Sequence, residues 1–204
     1  MSLRRLTNRV CSRSIGARVL RLSVAAAWLL LTLPWFTICA AGQGPKASES
    51  EVEAVYVFKF SQFVNWPAQT AASSSLDICV LGDDPIAPFL DKTVHGENVN
   101  GRSVLSRHIV RVQDAQGCSI LYISRSEASR LPQVLAAVKA WPLLTVSEIP
   151  DFVDKGGMIE FVLQSGRVRF EVNLAPASRA GLTFSSELLK VAVLVKGNEQ
   201  QGSR

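Results

Sequence analysis

Between Arg167 and Asn173 the chain alternates with period two. Arg167, Arg169, Glu171 and Asn173 fall on one side; Val168, Phe170 and Val172 fall on the other. Successive side chains of a strand point to opposite faces, so this is the pattern of a strand with one face buried. A second apolar-rich run, Ile159 to Leu163, precedes it across Gln164-Ser165-Gly166. Two such runs around a glycine-containing connection predict a hairpin. Ser185-Ser186-Glu187-Leu188-Leu189 then predicts a helix with a serine cap and an early acid. Leu188, Leu189, Ala192, Val193 and Val195 would give that helix a broad apolar face.

Upstream, the period changes repeatedly. Ser48 and Glu51 make a capping-box pattern, followed at helical spacing by Val52, Val55, Tyr56, Phe60, Phe63 and Val64. Val57 and Phe58 widen the apolar arc, which predicts a helix covered on more than one side. It ends before Trp66-Pro67, because proline keeps the residue before it out of the helical region. Residues 68–75 read as a polar loop. Leu76 to Leu81 is a short apolar strand; Gly82-Asp83-Asp84-Pro85 closes it and starts a helix that holds Phe89 and Leu90. A turn-rich connection covers residues 91–102. Val104 to Val112 and Ser119 to Ile123 read as strands. Ser124 and Glu127 repeat the capping pattern before a helix that buries Leu131, Val134, Leu135 and Val138 and ends at Trp141-Pro142. Leu143 to Val146 is a further strand, and Asp151 to Asp154 at most a helical turn.

Strands alternating with helices from 76 to 150 predict an α/β fold. The expectation is a single domain: a mainly parallel sheet flanked by helices on both faces, with an antiparallel C-terminal hairpin at one edge. The domain spans residues 49–196, after a flexible lead at 42–48 and before a disordered tail at 197–204.

The first 41 residues differ. Arg4, Arg5, Arg9, Arg13, Arg18 and Arg21 form a basic start without an acid. The apolar run Leu22 to Ile38 follows, and then the small residues Cys39-Ala40-Ala41-Gly42. This is the layout of a secretory signal peptide, cleaved near Ala41, with an uncleaved N-terminal anchor as the alternative. The whole chain carries 22 Lys+Arg against 17 Asp+Glu, a formal charge of +5. Losing the six signal arginines leaves a mature chain about one charge negative, which removes any nucleic-acid reading built on net basicity. The cut also removes Cys11 and Cys39, leaving Cys79 and Cys118, an even count for an oxidising compartment.

Catalytic chemistry is scarce. His95 and His108 are the only histidines, and neither has a second ligand at metal spacing. No Walker loop, GxSxG elbow, HExxH or GxGxxG occurs. Asp83-Asp84 could be an acid/base pair or calcium ligands, but a helix cap accounts for it. No cofactor or metal is expected. In α/β sheets ligands favour the carboxyl ends of strands, here Gly82-Asp83, Ser124 and Ser147-Glu148. Other candidates are polar. The hairpin face of Arg167, Arg169, Glu171 and Asn173 reads as a partner contact or an ordinary solvated face. Arg179 could hold a carboxylate or phosphate, or form a structural ion pair. Trp66 is an exposed anchor or a plug at a helix end.

Several motifs occur together and in order: VYVFKFSQFVNWP (55–67), ICVLGDDP (78–85), NGR (100–102), CSILYIS (118–124), LTVSEIPDFVDKGGMIEFV (144–162), VRFEVN (168–173) and ASRAGLTFSSELLKVA (177–192). In these the chain resembles the YfiR family of small periplasmic proteins of Gram-negative bacteria. The resemblance covers nearly all of the mature chain. It implies a repressor of a membrane-bound diguanylate cyclase of the YfiN type. Such a repressor binds the cyclase's periplasmic sensor region and lowers cyclic-di-GMP and biofilm formation, without being an enzyme. An outer-membrane lipoprotein of the YfiB type would be a second partner, and a homodimer stays open. A small-molecule-binding module serving another membrane sensor is the alternative. The resemblance also implies a Cys79–Cys118 disulfide, against two buried free thiols. Such a bridge would close a loop of about 39 residues and contribute roughly 3–4 kcal/mol. A second family bridge near the C-terminal hairpin has no cysteines here, so redox control through it does not carry over.

Overall fold

The computed structural model describes residues 48–71 and 73–197. The expected signal peptide, nearly all of the expected lead and the residues after Gly197 lie outside the described residues.

The first helix, α1 (Glu49–Phe63), starts where the capping pattern put it. The Ser48 Oγ accepts the Glu51 backbone N–H at 3.2 Å. Ala54, Val57, Phe58 and Phe60 are buried. The helix is apolar on more than one side because it lies between the sheet and a second helix. Its chain runs into β1 (Val64–Asn65), then α2 (Ala68–Ala71) within the expected loop. The following elements are β2 (Ser75–Leu81), α3 (Ile86–Val94), β3 (Asn98–Val99), β4 (Arg102–Ile109) and β5 (Ile120–Ile123). They are followed by α4 (Leu131–Val138), β6 (Leu144–Ser147), β7 (Ile159–Gln164) and β8 (Arg167–Asn173). The chain closes with α5 (Leu174–Arg179), β9 (Thr183–Phe184), α6 (Ser186–Val191) and β10 (Leu194–Lys196).

The main sheet has eight strands in the order β10-β8-β7-β6-β5-β2-β4-β3. Its centre, β4-β2-β5-β6-β7, is parallel throughout. From β2 the chain goes outward to β4 and then returns to the other side of β2 as β5, so the strand order reverses between β2 and β5. That is the topological switch point of a doubly wound sheet. The β7–β8 hairpin is antiparallel, with Phe161 opposite Phe170 and Glu160 opposite Glu171. Its two-residue turn places Ser165 and Gly166 at φ 51° and 69°. Both values are left-handed, as the tight hairpin turn requires.

Alternation along the buried strands separates two cores. Ile78, Val80, Ile120, Tyr122 and Val146 pack under α1, α3 and α6 on one face. Cys79, Leu81, Leu121 and Ile123 pack against α4 and Phe152 on the other. Cys79 and Cys118 are joined by a disulfide on this second side, with Cα atoms 6.1 Å apart. The fold class is therefore as the sequence predicts: one mixed α/β domain with a mostly parallel sheet and helices on both faces.

Four local expectations are corrected. The C-terminal helix is short: Ala192 is already extended, and Leu194–Lys196 form a strand parallel to β8. The outer edge of β8 offers an open row of backbone groups, and β-branched Val193 and Val195 suit a strand there. The hairpin consequently lies one strand in from the edge. The stretch 91–102 contains helix at its start and a small hairpin strand at its end. Strand β4 stops at Ile109, and Val112–Ala115 make a 3-10 turn. After Ser124, whose Oγ accepts the Ser126 N–H at 3.1 Å, the backbone is 3-10 over Arg125–Arg130 before α4 begins.

Candidate partner-binding face

Three of the apolar residues on α1 and α6 are not covered. Val55 and Phe63 are 44% and 36% exposed, and Val191 is 57% exposed. With Val52, Tyr56, Lys59, Leu188 and Phe170 they line an open groove of about 490 Å³ between α1 and α6. Its floor is an aromatic cluster that fixes the helix on the sheet. Phe60 meets Phe170 edge-on at 5.1 Å between ring centroids, and Tyr56 lies 5.6 Å from Phe170.

A second cleft adjoins this groove along α1. Ser48, Glu49, Val52 and Tyr56 line it from the helix, and Gly166, Arg167, Val168 and Arg169 from the hairpin. Val52 and Tyr56 belong to both. The two arginines alternate with Val168 on β8, so the strand directs Phe170 inward while leaving Arg167 exposed and Arg169 half-exposed. Neither arginine pairs with a carboxylate among the described residues. An apolar groove edged by Lys59 and Glu187, beside a cleft that carries Glu49, Arg167 and Arg169, suits protein recognition, which places its buried contacts centrally and its charges at the edge.

The other predicted residues lie elsewhere. Glu171 and Asn173 continue the same stripe but turn inward. Glu171 is half-buried opposite the buried Glu160; burial first, and then the Glu160 charge, raises its carboxyl above the ordinary range. Asn173 caps α5, accepting the Ala175 N–H at 3.1 Å, and donates through Nδ2 to the Val153 carbonyl at 2.8 Å. Trp66 is half-buried and donates through Nε1 to the Ser119 carbonyl at 3.3 Å, as a plug at the helix end would. Arg179 is exposed on α5 and lines a separate cleft.

At the carboxyl ends of the parallel strands the polar groups are used internally. The Ser124 Oγ donates to the Asp83 carbonyl at 2.6 Å, and the Ser147 Oγ to the Ile123 carbonyl at 2.7 Å. Gly82 sits at φ 89°, where an added Cβ would lie 2.5 Å from the Ser126 Oγ. Arg125 pairs with Glu148 at 3.2 Å. Asp83-Asp84 serves as the cap: Asp84 Oδ1 accepts the Ile86 N–H at 2.9 Å. Just inside, Tyr122 donates to the buried Glu53 at 3.2 Å.

One exposed cluster has hydrolase residue types without their geometry. Ser106 and His108 both contact the same Asp91 Oδ1, the histidine at 3.1 Å, so the carboxylate separates them instead of orienting one toward the other. Among the described residues no group of three His, Cys, Asp or Glu could hold a metal ion. Among them, too, no helix is long and apolar enough to cross a membrane.

Sequence reasoning missed the open groove, because Val55 and Phe63 share the helical spacing of the buried positions. It also missed Glu53–Tyr122, whose partners are 69 residues apart.

Residues 50–193 match the YfiR/HmsC-like family model. The chain belongs to the YfiR/HmsC-like family. This family consists of periplasmic regulators of diguanylate cyclase signalling and is regulatory, not catalytic. The disulfide fits the oxidising compartment in which such proteins work. Among solved structures, this YfiR-like chain is similar to a conserved domain protein from Vibrio cholerae O1 biovar eltor. The two share 13% identity over 74% of this chain and 61% of that one, with a TM-score of 0.50, a likeness of fold alone. An ABC domain in complex with L-Trp from Streptococcus pneumonia also matches, at 13% identity over 72% of this chain and 60% of that one, TM-score 0.47. The chain thus spans about three fifths of the length of each.

Proposed function

We propose that this protein represses a membrane-bound diguanylate cyclase of the YfiN type by binding its periplasmic sensor region. Its family membership supports the signalling context. The observation that carries the contact is the open groove between α1 and α6, bordered by Arg167 and Arg169.

Repression of this kind needs no chemistry from the repressor. A protein that binds one state of the cyclase better than the other shifts the balance by its differential affinity. Exposed Val55, Phe63 and Val191 supply apolar area, and the arginines supply orientation against an acidic rim. A lipoprotein of the YfiB type that takes up the same protein would relieve the repression by competition. The protein acts after export, with its signal removed, and as a binding protein without catalysis.

Deleting the gene in a strain that expresses the candidate cyclase is the test. Cyclic-di-GMP and surface attachment should rise. Export of the domain to the periplasm should restore the low state, whereas retention in the cytoplasm should not. Unchanged cyclic-di-GMP in the deletion strain would overturn the reading and leave a binding module for another membrane sensor.

A further inference from the structure

Two short helices end in cations that face one cleft, apart from the groove. Along α4 and its end, Pro132, Leu135, Ala136 and Lys139 recur at helical spacing and form one lining. Along α5, Pro176 and Arg179 stand one turn apart and form another. Lys155 and Gly156 close the cleft from the turn between β6 and β7, and Met158 and Thr145 contribute from the strands' side. The volume is about 300 Å³, at the small end of ligand sites.

The charges are unbalanced. Arg179 and Lys139 pair with no carboxylate among the described residues. Lys155 alone has a carboxylate near, Asp151 at 3.7 Å, and its Nζ is held by the Pro150 carbonyl at 2.6 Å. The structural ion pair that would account for Arg179 is thus not made within the described domain. Three like charges around one apolar-walled cleft repel one another, and an anion seated among them turns that repulsion into attraction. A guanidinium also offers paired N–H donors that match a carboxylate or phosphate.

We infer that this cleft binds a small organic phosphate, its head between Lys139, Lys155 and Arg179 and its apolar body on Leu135, Pro132 and Pro176. A phosphate monoester carries close to two negative charges at neutral pH, which answers three partly solvated cations better than a single carboxylate does. The site is separate from the groove assigned to the cyclase, and its existence does not depend on that assignment.

Protein purified from the periplasm, labelled with nitrogen-15, can be titrated with hexyl phosphate, inorganic phosphate and hexanol. Hexyl phosphate should shift the amide resonances of 132–139, 155–158 and 176–179 saturably, and bind at least tenfold more tightly than inorganic phosphate. Hexanol should leave them in place. R179Q should weaken hexyl phosphate at least tenfold, and K139Q, at an independent exposed position, should weaken it in the same direction. R167Q, outside the cleft, should bind like the parent. Shifts scattered over the surface, equal affinity for the two phosphates, or equal affinity in R179Q and the parent would each overturn the assignment. Both cleft residues are exposed, and unchanged resonances elsewhere establish that the variants are folded.

Discussion

Tyr122 on β5 donates its hydroxyl proton to Glu53 on α1 across 3.2 Å inside the domain, and no cation pairs with that carboxylate among the described residues. Burial, the largest cause, and then the charge of Glu148 push the Glu53 carboxyl up to about 7 from 4.5, against a downward pull from the Tyr122 hydrogen bond. Burial likewise holds the Tyr122 hydroxyl protonated far above its ordinary range, so it stays the donor.

This pair gives stability a defined pH dependence. A raised folded-state value means that the folded protein holds the proton more tightly than the unfolded chain. Stability is full below about pH 4.5, falls as pH rises through the window to about 7, and stays lower above it. The loss is on the order of 3 kcal/mol. Glu53→Gln keeps an acceptor for Tyr122 and cannot ionise, so its urea midpoint should change less between pH 5 and pH 8 than the parent's. Glu171 titrates in both proteins, so the difference isolates Glu53. Identical pH slopes would remove Glu53 from the account.

The Cys79–Cys118 bridge closes a separation of 39 residues between β2 and the turn that leads into its neighbour β5. Cys79→Ala should lower stability by roughly 2–4 kcal/mol, mainly by freeing the unfolded chain. Urea melts of the oxidised parent and the variant decide this; coincident midpoints would mean that the bridge is idle.

Phe170 is 2% exposed and touches both Tyr56 and Phe60. Phe170→Ala should cost about 3–5 kcal/mol, through lost burial and the cavity left behind. Because these rings form the floor of the groove, the same variant should also weaken cyclase binding. A loss under about 1 kcal/mol in chemical denaturation would show that α1 repacks onto β8.

The groove itself is tested by substitutions that leave the core alone. Phe63→Glu and Arg167→Glu change exposed positions and should keep the thermal midpoint within a few degrees. Each should weaken binding to the cyclase's periplasmic region about tenfold or more: Arg167→Glu loses a contact to a charged group, worth roughly 1.5–3 kcal/mol, and Phe63→Glu sets an unpaired carboxylate against an apolar contact. Calorimetric titration of the two purified proteins measures it. Parent-like affinity in both variants would move the contact to another face.

The signal assignment concerns residues outside the described domain and has its own measurement. Intact mass of protein isolated from the periplasm should correspond to a start near Gly42. A mass that retains residues 1–38 would establish an uncleaved anchor.

The sequence by itself determined the parts whose cause is local. The Ser48 cap, the Trp66-Pro67 stop, the period of β8 and the glycine-containing hairpin connection are set by neighbours within a few residues, and all appear where the pattern put them. The alternation of apolar strands with helices was enough for the parallel centre of the sheet, because buried strands and crossover helices carry different periods. Only the tertiary structure decided which apolar positions stay open. Val55 and Phe60 belong to one helical pattern, but coverage depends on where α3, α6 and β8 come to rest. It also split one alternating stripe into exposed Arg167 and inward Asn173, since the turn before β7 covers only one end of β8. The last residues turned from helix to strand for the same reason: a distant edge of unpaired backbone was open to them, and β-branched Val193 and Val195 fit it.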